Sequence, residues 1–366
     1  MIRLTAAGTV VSLALALGLS ALLLATTGYS PPDALRAILD GSLGDATALT
    51  STLLYTAPLL LVAVGSAVCA RAGVFSIGQE GQVLIGCFTG AWIALRLALT
   101  GPLMLVLVLV AAAAGGAFWA WLSSLMYRWR GVSIVVSTLL LVFVAQQLIA
   151  FSVGQAWFLQ QSKGDKAVVA PRSNQIPAAA RLGSIGEYPH VMVNLGLVLA
   201  VTLMLLVAFM TARTAWGFRL RLAGLSPAAA QHAGVRTGRV TSLALVISGA
   251  FAGLAGALML ASPVGTYRLQ PGISATVGWD GLLVALIARN KPLLCAPVAL
   301  LFGALRAGGG FLSATGVPFY LVDVVKSLLV LALVVPPVVA GRLERRRDRR
   351  RLASSAISQR PVPQEV

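Results

Sequence analysis

The sequence is poor in charge, and above all in acidic residues. Only 11% of its 366 residues are charged, with 11 Asp and Glu against 28 Lys and Arg, whereas 58% are hydrophobic and the mean hydropathy is +0.89. An ordinary soluble domain is about 25% charged. The scarcity of charge excludes that class and predicts an all-α protein that crosses a membrane several times.

Residues that could carry catalysis or bind a metal are also scarce. The two histidines, His190 and His232, are far apart, and the three cysteines lie in apolar runs without metal-ligand spacing. No GxxxxGK[ST] phosphate-binding motif occurs, and the dipeptide Gly-Lys is absent. The chain is therefore not expected to be an enzyme, to hold a metal or cofactor, or to hydrolyse ATP by itself.

Apolar segments of about 20 residues, long enough to cross a hydrocarbon core of about 30 Å, recur along the chain. They predict eight to ten transmembrane helices, at residues 8–27, 51–70, 80–99, 102–125, 132–154, 190–210, 239–261, 277–289, 292–311 and 318–340. The segment 277–289 is too short to cross alone, and 80–99 contains Arg96. The first segment has features of a secretory signal, but its long apolar run and poor cleavage site favour a retained helix.

The distribution of basic residues predicts the orientation. If the N-terminus is cytoplasmic, the inner segments contain 19 Lys and Arg and the outer segments contain six, so both termini are expected in the cytoplasm. The net charge of +17 then reflects membrane topology, with lipid and not nucleic acid as the contact. A single membrane domain over 1–340 would be followed by a basic cytoplasmic tail over 341–366, which either anchors the orientation or attracts anionic lipid.

Two hydrophilic segments are long enough to have roles of their own. The outer one, 155–189, has the Pro, Gly and Ser content of a loop and either contacts a delivery protein or covers the pore. The inner one, 211–239, contains Ser226 and Pro227 as the start of a helix of about two turns and Gly234 as its end. So short a helix needs support, so it either packs on the chain's own helices or docks into a partner.

Two acidic residues open apolar runs in the same local pattern, GQEG at 78–81 and GWDG at 278–281. We expect Glu80 and Asp280 to accept hydrogen bonds from the free amides of their own helix starts. The glycines would permit unwound backbone, which at membrane depth must be buried in protein or line a cavity. The pattern predicts two broken helices near a central site, where each acid either lines a solute path or fixes a helix end.

The other polar residues within the predicted spans have simpler explanations. Asp323 and Lys326 are spaced to pair on one helix face. Arg96 and Arg306 lie near span ends and are expected to extend toward the membrane surface. The amide of Gln146 either lines a path or bonds between helices.

Three stretches together resemble the permease subunits of ABC importers for nucleosides and simple sugars, a group that also serves ribose and branched-chain amino acids. They are GVFSIGQEGQVLIG at 73–86, GLSPAAAQHAGVRTGRVTSLALVISGAFAGLAGALM at 224–259, and GWDGLLVALIARNKPLLCAPVALLFGALRAGG at 278–309. The third looks closest to the nucleoside branch. The resemblance extends more loosely over about residues 50–340.

The resemblance implies partners and a role for the inner helix. The segment matching 226–239 would be a coupling helix seated in an ATPase subunit that hydrolyses the ATP. An extracytoplasmic binding protein would deliver the solute, and a second permease, a paralogue rather than an identical copy, would complete the pore. The residues expected to contact the ATPase are Ser226, Pro227, Ala229, Gly234 and Arg236.

Two departures from the family pattern bear on the substrate. Such permeases commonly read NxGxEGQ where this chain has Ser76, and many carry an asparagine where it has Val142. Nucleosides are the leading substrate class, ribose-like sugars or another small solute the alternative, and a stand-alone proton-coupled carrier or channel the rival of another class. The expected substrate-path residues are Phe75, Ser76, Gln79, Glu80, Gln82, Val142, Gln146, Trp279 and Asp280.

Overall fold

The computed structural model describes residues 28–97, 99–162, 170–186 and 190–314, with a few further residues between 14 and 26 and between 324 and 328. The helices are α1 (Pro31–Leu39), α2 (Ala46–Arg71), α3 (Gln79–Arg96), α4 (Pro102–Arg130), α5 (Ile134–Gly154), α6 (Leu195–Arg213), α7 (Ala215–Leu225), α8 (Pro227–His232), α9 (Thr237–Leu260), α10 (Val277–Ile287) and α11 (Pro292–Ala314). Two short strands, β1 (Ser184–Ile185) and β2 (Val193–Asn194), pair antiparallel. Contacts group the chain into two units, Met1–Ala37 with Phe311–Val366, and Ile38–Gly310; the site lies in the second.

Six of the described helices are long and apolar enough to cross a membrane: α2, α4, α5, α6, α9 and α11. The chain is therefore a multi-pass, mainly helical membrane protein, but the expected ten spans are not confirmed. The predicted segment 277–289 contains only the 11-residue helix α10. The predicted first and last spans, and the pair Asp323 and Lys326, fall largely or wholly outside the described residues.

Ordinary local rules account for several helix boundaries. The Asp45 carboxylate accepts a hydrogen bond from the Ala48 amide at 2.6 Å and so caps α2, and the Asn194 side chain does the same for α6. Helix α4 starts with a proline at its first turn and ends just before Gly131, whose φ of 66° is left-handed. These positions set the helix lengths independently of distant contacts.

Glycines allow three helices to pack with their backbones in contact. Helix α9 carries Gly249, Gly253 and Gly256 on the side that faces α3 and α4. A methyl group on Gly253 would overlap the backbone of α4, and one on Gly256 would overlap the backbone of α3 at Val83. Small residues at such interfaces let membrane helices approach closely, so α3, α4 and α9 form a tight block.

The ends of α2, α4, α6 and α10 gather with α7, α8 and the start of α9 at one end of the bundle. Arg71 at the end of α2 donates to the Asn290 carbonyl beyond α10, at 2.9 Å, and Gly224 at the end of α7 lies against Gly73. We call this end the basic face; its described cations are Arg71, Arg128, Arg130, Arg213, Arg219, Arg221, Arg236, Arg239, Arg289 and Lys291. Its described residues include no carboxylate.

At the opposite end, the described part of the outer segment is fixed to the chain that precedes α10. The Ser173, Ile176 and Leu182 amides donate to carbonyls within residues 261–269 at 2.8 to 2.9 Å. The segment contains one 3₁₀ turn, Ala178–Ala180, besides β1. It is thus a bonded loop rather than a free one.

Candidate functional site

The backbone unwinds between α2 and α3. Helix α2 ends at Arg71, Gly73 adopts a left-handed φ of 74°, and α3 begins only at Gln79. The Ile77 amide donates to the Thr138 hydroxyl of α5 at 3.3 Å, which holds the unwound segment against a neighbouring helix. A helix start at GQEG, as the sequence predicts, is confirmed.

The second helix start, at α10, follows a more unusual backbone. Ala275 and Thr276 have φ values of 43° and 69°, in the left-handed region that residues other than glycine rarely adopt. Such conformations persist only where surrounding contacts enforce them, and they concentrate at functional sites. Helix α10 then starts at Val277 with no side-chain cap from its own N-cap residue.

Glu80 caps the start of α10, not the start of its own helix. Its carboxylate accepts a hydrogen bond from the Gly278 amide at 2.8 Å and another from the Ser274 hydroxyl. The expectation that Glu80 binds amides of α3 is therefore wrong. A helix N-terminus does receive the carboxylate, as expected, but that N-terminus lies 198 residues away.

Asp280 is bound by an arginine. The Arg306 guanidinium of α11 reaches the Asp280 carboxylate at 2.7 Å and also donates to the Ala275 carbonyl and the Thr276 hydroxyl. Both partners of this ion pair are buried, Asp280 with 9% and Arg306 with 8% of their surface exposed. The prediction that Arg306 extends toward the membrane surface is wrong, because its guanidinium is buried and bonded to Asp280 and to the residues before α10.

Glycines of the two motifs serve close packing rather than unwinding. A methyl group on Gly278 would overlap the backbone of Glu80, and one on Gly281 would overlap the Val62 side chain of α2. Gly81 lies against the Val142 backbone of α5. The expected conformational freedom is needed instead at Gly73, outside both motifs.

The expected substrate-path residues occupy different environments. Buried residues are Ser76, Gln79, Glu80, Gln82, Val142 and Asp280, whereas Phe75 and Gln146 are exposed and Trp279 is half-buried. Gln79 is 1% exposed, yet neither its amide oxygen nor its amide nitrogen has a hydrogen-bond partner, and the Gln82 oxygen also has none. Buried polar groups are normally paired, so these two amides mark the beginning of α3 as a place where another arrangement or a bound molecule would supply partners.

The helix predicted within the inner segment is confirmed as α8. The Ser226 hydroxyl accepts from the Ala229 amide at 3.3 Å, Pro227 occupies the first turn, and Gly234 has a left-handed φ of 76°. Of the expected coupling residues, Pro227, Ala229, Gly234 and Arg236 are exposed, and Ser226 is half-buried. Helix α8 therefore presents most of its surface outward at the basic face.

The sequence did not predict α7, the helix that supports α8. Thr214 caps it by accepting from the Gly217 amide at 3.3 Å, a signal that the local sequence contains. At its end, Gly224 lies so close to Gly73 and Arg71 that a methyl group there would overlap their backbones. The inner segment is thus in direct contact with the unwound turn that leads into α3.

Comparison with known proteins gives a consistent result. The family model described as branched-chain amino acid transport system / permease component matches residues 48–335. A guanosine ABC transporter permease of Bacillus subtilis is 29% identical over 88% of this chain and 90% of its own length. A glucose ABC transporter permease of Haloferax volcanii is 29% identical over 87% and 84%, and a nucleoside ABC transporter permease of Lactococcus lactis is 27% identical over 88% of each.

No solved structure matches the chain. The family match covers more than half of the chain, including the starts of α3 and α10 and the inner segment with α7 and α8. The relatives that it matches over most of their length are transport components and not enzymes. The chain therefore belongs to the permease component family of branched-chain amino acid transport systems, as an ABC transporter permease of the nucleoside and sugar type.

Proposed function

We propose that this permease forms one side of the translocation path of an ATP-driven importer for nucleosides, in the bacterial inner membrane with both termini in the cytoplasm. An ATPase subunit would hydrolyse the ATP, an extracytoplasmic binding protein would deliver the solute, and a second permease, a paralogue, would face this one. The observation that carries the proposal is the contact between Gly224 and Gly73, which joins the inner segment to the broken helix.

That contact supplies a mechanical route from an ATPase to the candidate site. A force applied to α8 passes to α7, with which it packs, and then through Gly224 to the turn at Gly73. The turn leads into α3, whose Glu80 holds the start of α10. Because closely packed backbones cannot move independently of each other, movement of α8 would shift both helix starts together.

The basic face favours a cytoplasmic position for α8. Cytoplasmic segments of membrane proteins carry an excess of Lys and Arg, and the described cations of the predicted inner segments lie at this one end. A stand-alone carrier has no need of a capped, exposed helix there. Docking to an ATPase subunit explains why α8 is capped and exposed. The residues in or near that contact would be Ser226, Pro227, Ala229, Gly234 and Arg236.

The substrate class rests on the relatives and on the polarity of the site. Two of the three relatives named above are permeases for nucleosides or guanosine and one is for glucose. Ser76 and Val142 are both buried in this chain, and Val142 packs against Gly81. Since neither offers an amide, the paralogous permease would provide more of the hydrogen bonds to a base or ribose, while Gln79 and Gln82 would contribute from this side.

Uptake by the reconstituted assembly tests the proposal. Proteoliposomes that contain this chain, its ATPase, the second permease and the binding protein should accumulate radiolabelled guanosine when ATP is enclosed and not when ADP is enclosed. Excess unlabelled nucleoside should compete and excess glucose or ribose should not. Uptake that persists without ATP and follows a proton gradient would refute the importer, and competition by the sugars alone would refute the nucleoside assignment.

Coupling can be tested at Gly234, which has open space around it. Gly234→Leu places a bulky side chain where the ATPase would dock, so solute-stimulated ATP hydrolysis should be lost while membrane insertion is retained. Gly272→Leu is the matched control, because Gly272 has a similar φ of 77° and open surroundings but lies before α10, away from the basic face. Equal solute-stimulated ATP hydrolysis by assemblies carrying Gly234→Leu and Gly272→Leu would contradict the docking role of α8.

A further inference from the structure

A cavity of about 470 Å³ opens on the basic face, between the end of α4 and the start of α9. Arg128 lines it from α4, and the rest of the lining runs from Gln231 at the end of α8 to Arg239 in the first turn of α9. Two of these residues, Gly234 and Arg236, also belong to the proposed ATPase contact, which leaves Arg128 and Arg239 for another ligand. The Ser124 hydroxyl of α4 donates to the Ser242 hydroxyl of α9 at 2.7 Å, about one turn deeper than these arginines. The bond holds the two helix ends together, so the cavity does not depend on a ligand to form.

The positive charge of this cavity is not balanced by the protein. Among the described residues the one ion pair joins Arg306 to Asp280, and the described part of the basic face holds no carboxylate. Three like charges that converge on one cavity repel each other. An anion bound there would reduce that repulsion and gain charge-assisted hydrogen bonds from Arg128 and Arg239.

The start of α9 adds backbone donors to the same cavity. Thr237 and Gly238 line it, no side chain caps this helix, and their amides make no hydrogen bond within the described residues. The N-terminus of a long helix carries partial positive charge and unpaired amides, which suit a phosphate group. Arginine forks and helix amides together are a fitting coordination set for phosphate oxygens.

Aromatic residues place the cavity at the level of lipid headgroups. Tyr127 and Trp129 flank Arg128 in the last turn of α4, and Trp129 is 77% exposed. Tyr and Trp concentrate where the hydrocarbon core meets the polar headgroups. Helix α4 also exposes Trp121, two turns before Arg128 on the same face, and Phe118, a surface that acyl chains would cover.

We propose that this cavity binds the phosphate of an anionic phospholipid, with Arg128 and Arg239 contacting the phosphate from opposite helices and the acyl chains lying along α4. Basic pockets between transmembrane helices on the cytoplasmic side are suited to anionic headgroups. A free phosphate offers the same oxygens but gains nothing from the exposed apolar side of α4. The proposal does not depend on the transported solute.

Native mass spectrometry of the full-length chain in detergent tests this site. Purified protein is titrated with phosphatidylglycerol, or with phosphatidylcholine that has the same acyl chains as a neutral control. We expect one phosphatidylglycerol to bind more tightly than phosphatidylcholine. Arg128→Gln and Arg239→Gln should each weaken its binding about fivefold, whereas Arg128→Lys should keep most of it.

Arg130→Gln is the matched control, because Arg130 belongs to the same helix turn and the same face but does not line the cavity. It should leave phosphatidylglycerol binding unchanged. Melting temperatures confirm that all variants are folded. In the wild-type protein, which needs no substitution, raising the salt concentration should weaken phosphatidylglycerol binding and leave phosphatidylcholine binding unchanged.

Three results would overturn the proposal. Equal phosphatidylglycerol binding by the wild type, Arg128→Gln and Arg239→Gln would show that the cavity is not the site. Displacement of the lipid by millimolar inorganic phosphate at constant ionic strength would identify a free phosphate as the ligand. Loss of ATPase association in Arg128→Gln with lipid binding unchanged would assign the arginines to a protein partner.

Discussion

The two G-x-acid-G motifs share a local pattern but bind their acids in different ways. Glu80 is held by two uncharged donors, the Ser274 hydroxyl and the Gly278 amide. Asp280 is held by a cation, the guanidinium of Arg306. Both arrangements nevertheless stabilise the start of α10. Glu80 binds it directly, whereas Asp280 binds Arg306, which in turn bonds to Ala275 and Thr276 before the helix.

The difference indicates which contact tolerates change. A carboxylate that accepts from uncharged donors can be replaced by a neutral acceptor at modest cost, since an ordinary hydrogen bond contributes about 1 kcal/mol. A buried ion pair that loses one partner leaves an uncompensated charge. The start of α10 therefore has one adjustable contact, at Glu80, and one that is fixed, at Asp280.

Removal of Arg306 should have the largest effect. Arg306→Met leaves the Asp280 carboxylate buried without a partner, and we expect a loss of about 3–5 kcal/mol in the free energy of unfolding. Thermal melting in detergent and the yield of monodisperse protein measure it. The double variant Arg306→Met with Asp280→Leu removes both charges and should recover most of the loss; no recovery would show that the pair is not the cause.

Adding a side chain at the close contact between the two motifs should have an intermediate effect. Gly278→Ala places a methyl group against the Glu80 backbone and should cost about 1–3 kcal/mol through overpacking. Gly310→Ala is the control, since Gly310 has nothing within 4 Å of the added group. Equal melting temperatures for the two variants would contradict the close approach of α3 and α10.

The smallest effect should come from Glu80→Gln. The amide oxygen still accepts from Gly278 or Ser274, so the cost should be about 1 kcal/mol and the protein should assemble. Transport rate or substrate preference should change more than stability, because the start of α10 is held less firmly. A variant that melts as much below the wild type as Arg306→Met does would show that Glu80 only fixes the structure.

The sequence predicted those features that depend on neighbouring residues. Ser226, Pro227 and Gly234 define α8 through capping rules that act within one or two helix turns, and the acidic motifs do mark two helix starts. The predicted partner of Glu80 was wrong, and the ion pair of Arg306 was not predicted, for one shared reason. Each contact joins segments far apart in the chain, and no local pattern records which helix will lie beside another.

Burial was equally hard to predict. Arg306 lies near the end of an apolar segment, where an arginine usually reaches water, but in the structure its guanidinium is buried and bound at the start of α10. Ser76 and Val142 differ from the family pattern, but the sequence does not show that they face protein. Local rules thus located the two helix starts but not the direction in which their side chains point.

The glycines of α9 limit where a solute can travel. With the backbones of α3 and α9, and of α4 and α9, touching at Gly253 and Gly256, no gap wide enough for a nucleoside separates α9 from either helix. Helix α5, by contrast, exposes Gln146 and the Phe143 side chain on a surface that the described chain leaves uncovered. In the importer that we propose, the second permease would cover that surface and complete the conduit, so a lone copy would lack half of the path however well it folds.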